Sequence, residues 1–199
     1  MELEFLHWIE GIRNPVLNVI MLFFTRIGEF GAVWIIAALV LLFVMPAKYR
    51  KMGLTVAIAL LISLVMCNII MKNMFQRVRP FNTDNTFDEI YNIFKSITDW
   101  SFPSGHTSAS FCSATAIFVW NKKAGIFAYV IAACIAFSRL YFTVHYPTDV
   151  LASLGLGMLY GIAAYMLVKI ILKKSDKMSA VFKDGKPYKL LFSKKSENI

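Results

Sequence analysis

The sequence predicts an all-α protein, a polytopic membrane bundle of six transmembrane helices with both termini in the cytoplasm. Three observations predict it. Of 199 residues, 58% are hydrophobic and 17% charged, with a mean hydropathy of +0.60. A soluble domain would be nearer half apolar and a quarter charged. The apolar residues are grouped in runs almost free of charge, as required when each span needs roughly 20 of them to cross about 30 Å of hydrocarbon. The net charge of +9 falls between and after those runs rather than along a basic stripe. That is the pattern of cytoplasmic flanks, and it argues against nucleic acid as a partner.

The chain begins with Glu2, Glu4 and Glu10, the wrong charge for a secretory leader, and His7 and Trp8 read there as interfacial anchors. The predicted spans are residues 15–24, 30–45, 53–71, 105–120, 124–141 and 150–172. The first is short and is followed by Arg26 and Glu29. Its helix either reaches Ile27 with those side chains at the interface or starts earlier as an amphipathic helix. Lys48, Arg50 and Lys51 lie between the second and third runs, Lys122 and Lys123 between the fourth and fifth, and eight lysines follow Leu172. With six spans these segments share one side, which the excess of lysine and arginine assigns to the cytoplasm. The other side receives residues 81–101, where Asp84, Asp88, Glu89 and Asp99 outweigh Lys95. The chain therefore divides into one membrane unit, 1–172, and a basic cytoplasmic tail, 173–199, a solvated flank or a weak contact for anionic lipid headgroups. Cys67, Cys112 and Cys134 all lie inside apolar runs and read as small buried hydrophobes.

Three polar segments interrupt the apolar pattern at one face of the predicted bundle. They are Lys72-Asn-Met-Phe-Gln-Arg-Val-Arg79-Pro80, Pro103-Ser104-Gly105-His106, and Ser138-Arg139 followed by His145 and Asp149. Ionisable groups at membrane depth are expensive and usually functional. Each segment alone also has a plain structural reading: snorkelling cations, a turn with a helix cap, and a hydrogen-bonded pair four residues apart. Together they point elsewhere. Lys72 and Arg79, seven apart, share a face if their helix continues to Pro80. Arg139 adds a third cation, Ser104 and Gly105 open a helix with amides suited to an anion, and His106 and His145 add two imidazoles. That set suits a phosphoryl group in transfer. A metal site is disfavoured because three cations would repel a divalent ion. Arg77 is left as an interface cation.

The spacings Lys-x6-Arg-Pro, Pro-Ser-Gly-His and Ser-Arg-x5-His-x3-Asp resemble the three signature motifs of the type-2 phosphatidic acid phosphatase superfamily, complete and in order over Lys72 to Asp149. The resemblance implies a metal-independent membrane enzyme without a cofactor, acting on lipid-linked phosphate. His145 would attack phosphorus, Asp149 would fix its tautomer, and His106 would act as acid and then base. Lys72, Arg79, Ser104, Gly105 and Arg139 would hold the phosphoryl oxygens. The short six-span form resembles bacterial enzymes that dephosphorylate undecaprenyl diphosphate, the favoured substrate because the site is expected outside the cytoplasm. Phosphatidylglycerol phosphate and phosphatidic acid are the alternatives. A non-catalytic headgroup carrier and the vanadate-dependent haloperoxidase branch are two further classes, the first disfavoured by the intact His106, His145 and Asp149, the second by the spans.

Overall fold

The computed structural model describes residues 1–84, 86–87 and 98–192, and every regular element among them is helical. A short helix α1 (Glu2–Gly11) precedes α2 (Pro15–Ile27). Pro15 at the first helical position and the Asn14 side chain, which accepts the Leu17 amide at 3.0 Å, start α2. A 3-10 turn (Glu29–Gly31), with Phe30 and Gly31 at positive φ, bends the chain by 48° into α3 (Ala32–Leu39) and its π-helical continuation (Val40–Val44). Next come α4 (Arg50–Ser63), a second π-helical stretch (Leu64–Met71) and α5 (Lys72–Phe75). Gln76, at φ 44°, ends that helix before the single turn α6 (Pro80–Thr83). The rest is α7 (Gly105–Phe118), α8 (Lys122–Tyr141), α9 (Pro147–Lys174) and α10 (Asp176–Phe182), with a closing 3-10 turn (Tyr188–Phe192).

Each apolar run lies in helix, yet not each is long enough to cross a membrane by itself. Ala47–Thr83, Lys122–Tyr141 and Pro147–Lys174 are long and apolar enough, and the bent pair from Pro15 to Val44 makes a fourth when taken as one span. The 14 residues of α7 rise only about 21 Å. This helix is the axis of the bundle, packed on by α4, α8 and α9. Its residues are small and hydroxylated because they face protein rather than lipid. Ser108 meets Ser63 at 2.7 Å, Ser110 accepts the Trp34 indole N–H at 2.9 Å, and Thr115 meets the Tyr129 hydroxyl at 2.7 Å. Gly157 and Gly161 let α9 approach α7 closely. A Cβ at Gly161 would stand 2.6 Å from Thr115 Cβ and 2.7 Å from the Cys112 carbonyl. Small residues spaced four apart are the usual means of close helix packing where lipid removes the hydrophobic drive.

Around this axis, large apolar side chains face outward, among them Val19, Phe23, Ile36, Leu61, Phe127 and Leu159. An exposed belt of this kind suits hydrocarbon and would be a liability in water. Helix α1 buries Leu6 and Ile9 and leaves Phe5, Trp8 and Ile12 exposed, the division expected of an interfacial helix. His7, expected as an anchor beside Trp8, instead bridges Glu10 at 3.1 Å and Asp84 at 3.0 Å and stacks on Phe87. At the opposite end the segment after α9 folds back on the connector, with Arg50 donating to the Lys186 carbonyl at 2.8 Å and lying over the Tyr188 ring. Asp88, Glu89 and Lys95 of the acidic loop, and Lys194 and Lys195 of the tail, lie outside the described residues.

The packing makes a direct test. Gly161→Ala should lower stability by about 1–3 kcal/mol through overpacking. Gly155→Ala, on the same helix with open space around the new Cβ, should be neutral or slightly stabilising, since alanine is the better helix former. Thermal midpoints of both variants in one detergent would separate the two positions.

Candidate active site

The three polar segments meet at one end of the bundle, each delivered by a different backbone device. Lys72 opens α5 and is buried there. Arg79 is also buried, but it does not share a continuous helix face with Lys72 as the sequence had suggested. The helix stops at Phe75, and extended backbone at Arg79 brings its guanidinium to the same place. Both cations close on Asp99: Lys72 Nζ pairs with one carboxylate oxygen, and Arg79 Nη2 donates to the other at 2.6 Å. Arg79 Nε donates to the Asp99 carbonyl at 2.9 Å, and Nη1 to the Val144 carbonyl at 2.7 Å. The guanidinium is thereby locked in plane.

His145 is buried in the turn between α8 and α9, so it and Asp149 are not a pair within one helix. Its Nε2 lies 3.4 Å from Arg79 Nη1. A guanidinium has no acceptor, so this contact assigns the lone pair to Nε2 and the proton to Nδ1. Nδ1 faces Asp149 Oδ2 at 3.6 Å, with Ser101 Oγ alongside at 3.5 Å. Burial, and then the charges of Arg79, Arg139 and Lys72, hold His145 well below the ordinary imidazole range. It is a neutral base whose bare nitrogen points at the cations. Asp99 responds oppositely: burial opposes its ionisation, but Arg79 and Lys72 prevail and hold its carboxyl below the usual range.

Asp149 is the third residue of α9 and fully buried. Its Oδ2 accepts the Tyr146 amide at 2.9 Å, capping the helix, and the Ser101 hydroxyl at 2.5 Å. The positive end of α9 adds to its support. Ser104 is the N-cap of α7, and its amide, expected to face the phosphoryl group, is already given to Ser153 Oγ at 2.7 Å. Gly105 follows at the first helical position, beneath Asn68. A Cβ there would stand 2.6 Å from Asn68 Oδ1, so any larger residue would make the Asn68 side chain shift. His106 is half-buried, packs against Gly28 at the α2 bend, and lies within electrostatic reach of Arg139, His145, Lys72 and Arg79. Arg139, in the last turn of α8, is buried and donates to Thr25. A cavity of about 410 Å³ opens beside Arg79, Asp99 and Trp100.

Sequence reasoning missed Asp99 and Ser101 as members of this site and set Arg77 aside. Arg77 is no free interface cation: its Nη1 donates to Asp149 Oδ1 at 2.5 Å. Asp99 and Ser101 stand just ahead of Pro103, and nearness to that motif was their only signal. Two buried cations paired with one carboxylate, a third, Arg139, within electrostatic reach, and an imidazole nitrogen alongside are a set chemically suited to binding a phosphoryl group and attacking it.

The family model described as PAP2 superfamily matches residues 49–171. An undecaprenyl-diphosphatase from Sulfolobus acidocaldarius is 34% identical over 143 residues, covering 71% of this chain and 66% of the relative. The chain spans 66%, 58% and 53% of the lengths of three curated relatives it matches. Among solved structures, Aquifex aeolicus LpxE superposes with a TM-score of 0.68 at 26% identity, covering 83% of this chain and 94% of that one. A transmembrane PAP2-type phosphatidylglycerolphosphate phosphatase from Bacillus subtilis gives 0.65 at 27%, covering 87% and 85%.

Because the Asp99 carboxylate pairs with both Lys72 and Arg79, Asp99→Asn should tighten binding of inorganic phosphate or vanadate to these cations, on the order of tenfold. Competitive inhibition constants would check this. Weaker binding in the variant would show that Asp99 organises the cations rather than competing for them.

Proposed function

The chain belongs to the PAP2 superfamily, and from that premise we propose that it is an integral-membrane lipid phosphatase working through a phosphohistidine at His145. The observation that carries the reading is the bare Nε2 of His145 set against Arg79, which with Lys72 already grips an anion. A phosphoryl group replaces the Asp99 carboxylate between these cations, with Arg139 and the first-turn amide of Gly105 completing the cradle. Nε2 then attacks phosphorus while the bond to the leaving oxygen breaks, and the imidazolium that results is stabilised by Asp149. His106 protonates the leaving oxygen, then takes a proton from the water that attacks the phosphohistidine. The products are the dephosphorylated lipid and inorganic phosphate. No metal is needed where fixed cations neutralise the transferring group, so turnover should survive strong chelation.

The membrane unit, residues 1–172, carries the reaction in six spans, with both termini and the basic tail, 173–199, in the cytoplasm. The site then opens on the extracytoplasmic face. There a lipid places its headgroup while each buried CH₂ of its chain contributes about 0.8 kcal/mol of anchoring. Undecaprenyl diphosphate is the favoured substrate, supported by the similarity to an undecaprenyl-diphosphatase. Phosphatidylglycerol phosphate is the second reading, favoured by the structural likeness to the Bacillus subtilis enzyme. Relative kcat/KM for the two lipids and phosphatidic acid decides among them. A headgroup carrier would need the cations but not an oriented imidazole, and absence of phosphate release from any of these lipids would favour it.

Two predictions follow from these assignments. His145→Ala should abolish turnover and any trapped phosphoenzyme, and Asp149→Asn should lower kcat by on the order of 10⁴, as for a serine triad. His106→Ala should lose about 10²–10⁴, and less with an activated aryl phosphate, whose leaving group needs no proton. Rapid-quench measurements on ³²P-labelled substrate would overturn the roles if phosphoenzyme formed in His145→Ala, or if the His106→Ala loss ignored the leaving group. For orientation, single cysteines at Thr86 and Lys186, in a background without the native cysteines, should react with an impermeant reagent from opposite sides of intact cells. Labelling of both from outside would refute the topology.

A further inference from the structure

The Asp149 carboxylate is held by more than the nucleophile requires, and the surplus leads to the N-terminal helix. Oδ2 takes the Ser101 hydroxyl and the Tyr146 amide and faces His145. Oδ1 takes Arg77 Nη1 at 2.5 Å, and the same nitrogen donates to Thr148 Oγ1 at 2.6 Å. Arg77 Nη2 donates to Glu2 Oε2 at 2.7 Å, while Glu2 Oε1 accepts the Thr148 amide at 3.1 Å and hydroxyl at 2.7 Å. The guanidinium carbon lies 3.8 Å from the centre of the Tyr146 ring, which fixes its plane. The backbone of Arg77 acts on the same carboxylate: its carbonyl accepts the Ser101 amide at 2.8 Å, setting the serine whose hydroxyl holds Oδ2.

A fully buried carboxylate requires a counter-charge and a fixed set of donors. Lys72 and Arg79 both pair with Asp99. Arg77 supplies the charge that faces Asp149 directly. A lysine would keep that charge but not the planar fork that reaches Asp149, Thr148 and Glu2 at once.

Building on the reading of His145 as nucleophile and Asp149 as its partner, we infer that Arg77 is a positioning residue for the reaction. It holds the Asp149 carboxylate against His145 and ties it, through Glu2, to α1. Helix α1 turns Phe5 and Trp8 outward, as does Ile12 at its C-cap, so a helix suited to the membrane interface is fastened to the nucleophile's support. The same segment is clasped twice more, by His7 and Asp84 within α1 and by Arg13 just after it, which donates to the Tyr141 carbonyl at 2.8 Å.

The test uses the full-length protein in detergent micelles with a lipid phosphate substrate and rapid-quench detection of the phosphoenzyme. Arg77→Gln should lower the rate of phosphoenzyme formation by about 10²-fold, the scale of a misplaced reacting group. KM should stay within about twofold, since Arg77 is proposed to touch no substrate and its loss falls on the chemical step. Arg77→Lys should recover part of the rate. Glu2→Gln should lower it several-fold, and this loss should vanish in the Arg77→Gln background, because the two residues act along one path. A raised KM at unchanged kcat would instead make Arg77 a substrate ligand, and additive losses would remove Glu2 from the path. Should Arg77→Gln fail to fold, Arg77→Lys and Glu2→Gln carry the same comparison. Wild-type turnover in Asp149→Asn, or no phosphoenzyme in the wild type, would defeat the underlying mechanism. Full activity in Arg77→Gln beside an inactive Asp149→Asn would defeat this inference alone.

Discussion

The arrangement at the active end depends on one constraint, the expense of keeping Lys72, Arg79, Arg139 and Asp149 away from water. None of these charges is stable there without a partner, and the partners determine the geometry. Asp99 draws Lys72 and Arg79 to one point, although the helix that carries Lys72 ends before Arg79 is reached. Asp149 gathers Arg77, Ser101 and the amide of Tyr146. The positive charge is left in excess around a neutral imidazole, so the site is electrostatically incomplete until an anion with more charge than one carboxylate arrives. In the proposed reaction, binding and catalysis are two uses of the same imbalance.

Supporting that charge cluster requires a rigid frame, and α7 supplies it. Its serines, alanines and cysteine bring neighbouring helices close, while Trp34, Ser63 and Tyr129 satisfy its hydroxyls. Glycines at positions 157 and 161 seat α9 against it. Since α7 opens at Ser104 and α9 opens at Tyr146, this packing also sets Gly105 and His106 relative to Asp149. The Ser104 amide bonded to Ser153 is the stitch between the two helix starts. An oversized side chain in the packed middle of the bundle therefore acts on chemistry a dozen residues away.

The sequence by itself determined the helical class, because long charge-poor runs have no other stable form in hydrocarbon. It also marked the residues on which the proposed chemistry rests, since Lys72, Arg79, His106, Arg139, His145 and Asp149 are polar interruptions at the edges of apolar runs. What it did not determine was how those residues meet. Spacing suggested a helical face for Lys72 and Arg79, whereas left-handed backbone at Gln76 and extended backbone at Arg79 replace it. Composition marked residues 105–120 as an apolar run, but not that the helix formed there, α7, would be packed on by α4, α8 and α9. Only the tertiary structure brought Glu2 beside Thr148, and Asp99 and Ser101 onto the cations and the carboxylate. The reason is physical: a residue's periodicity records which way its own helix faces, while a buried charge chooses partners by distance in space, across segments whose sequence separation carries no signal.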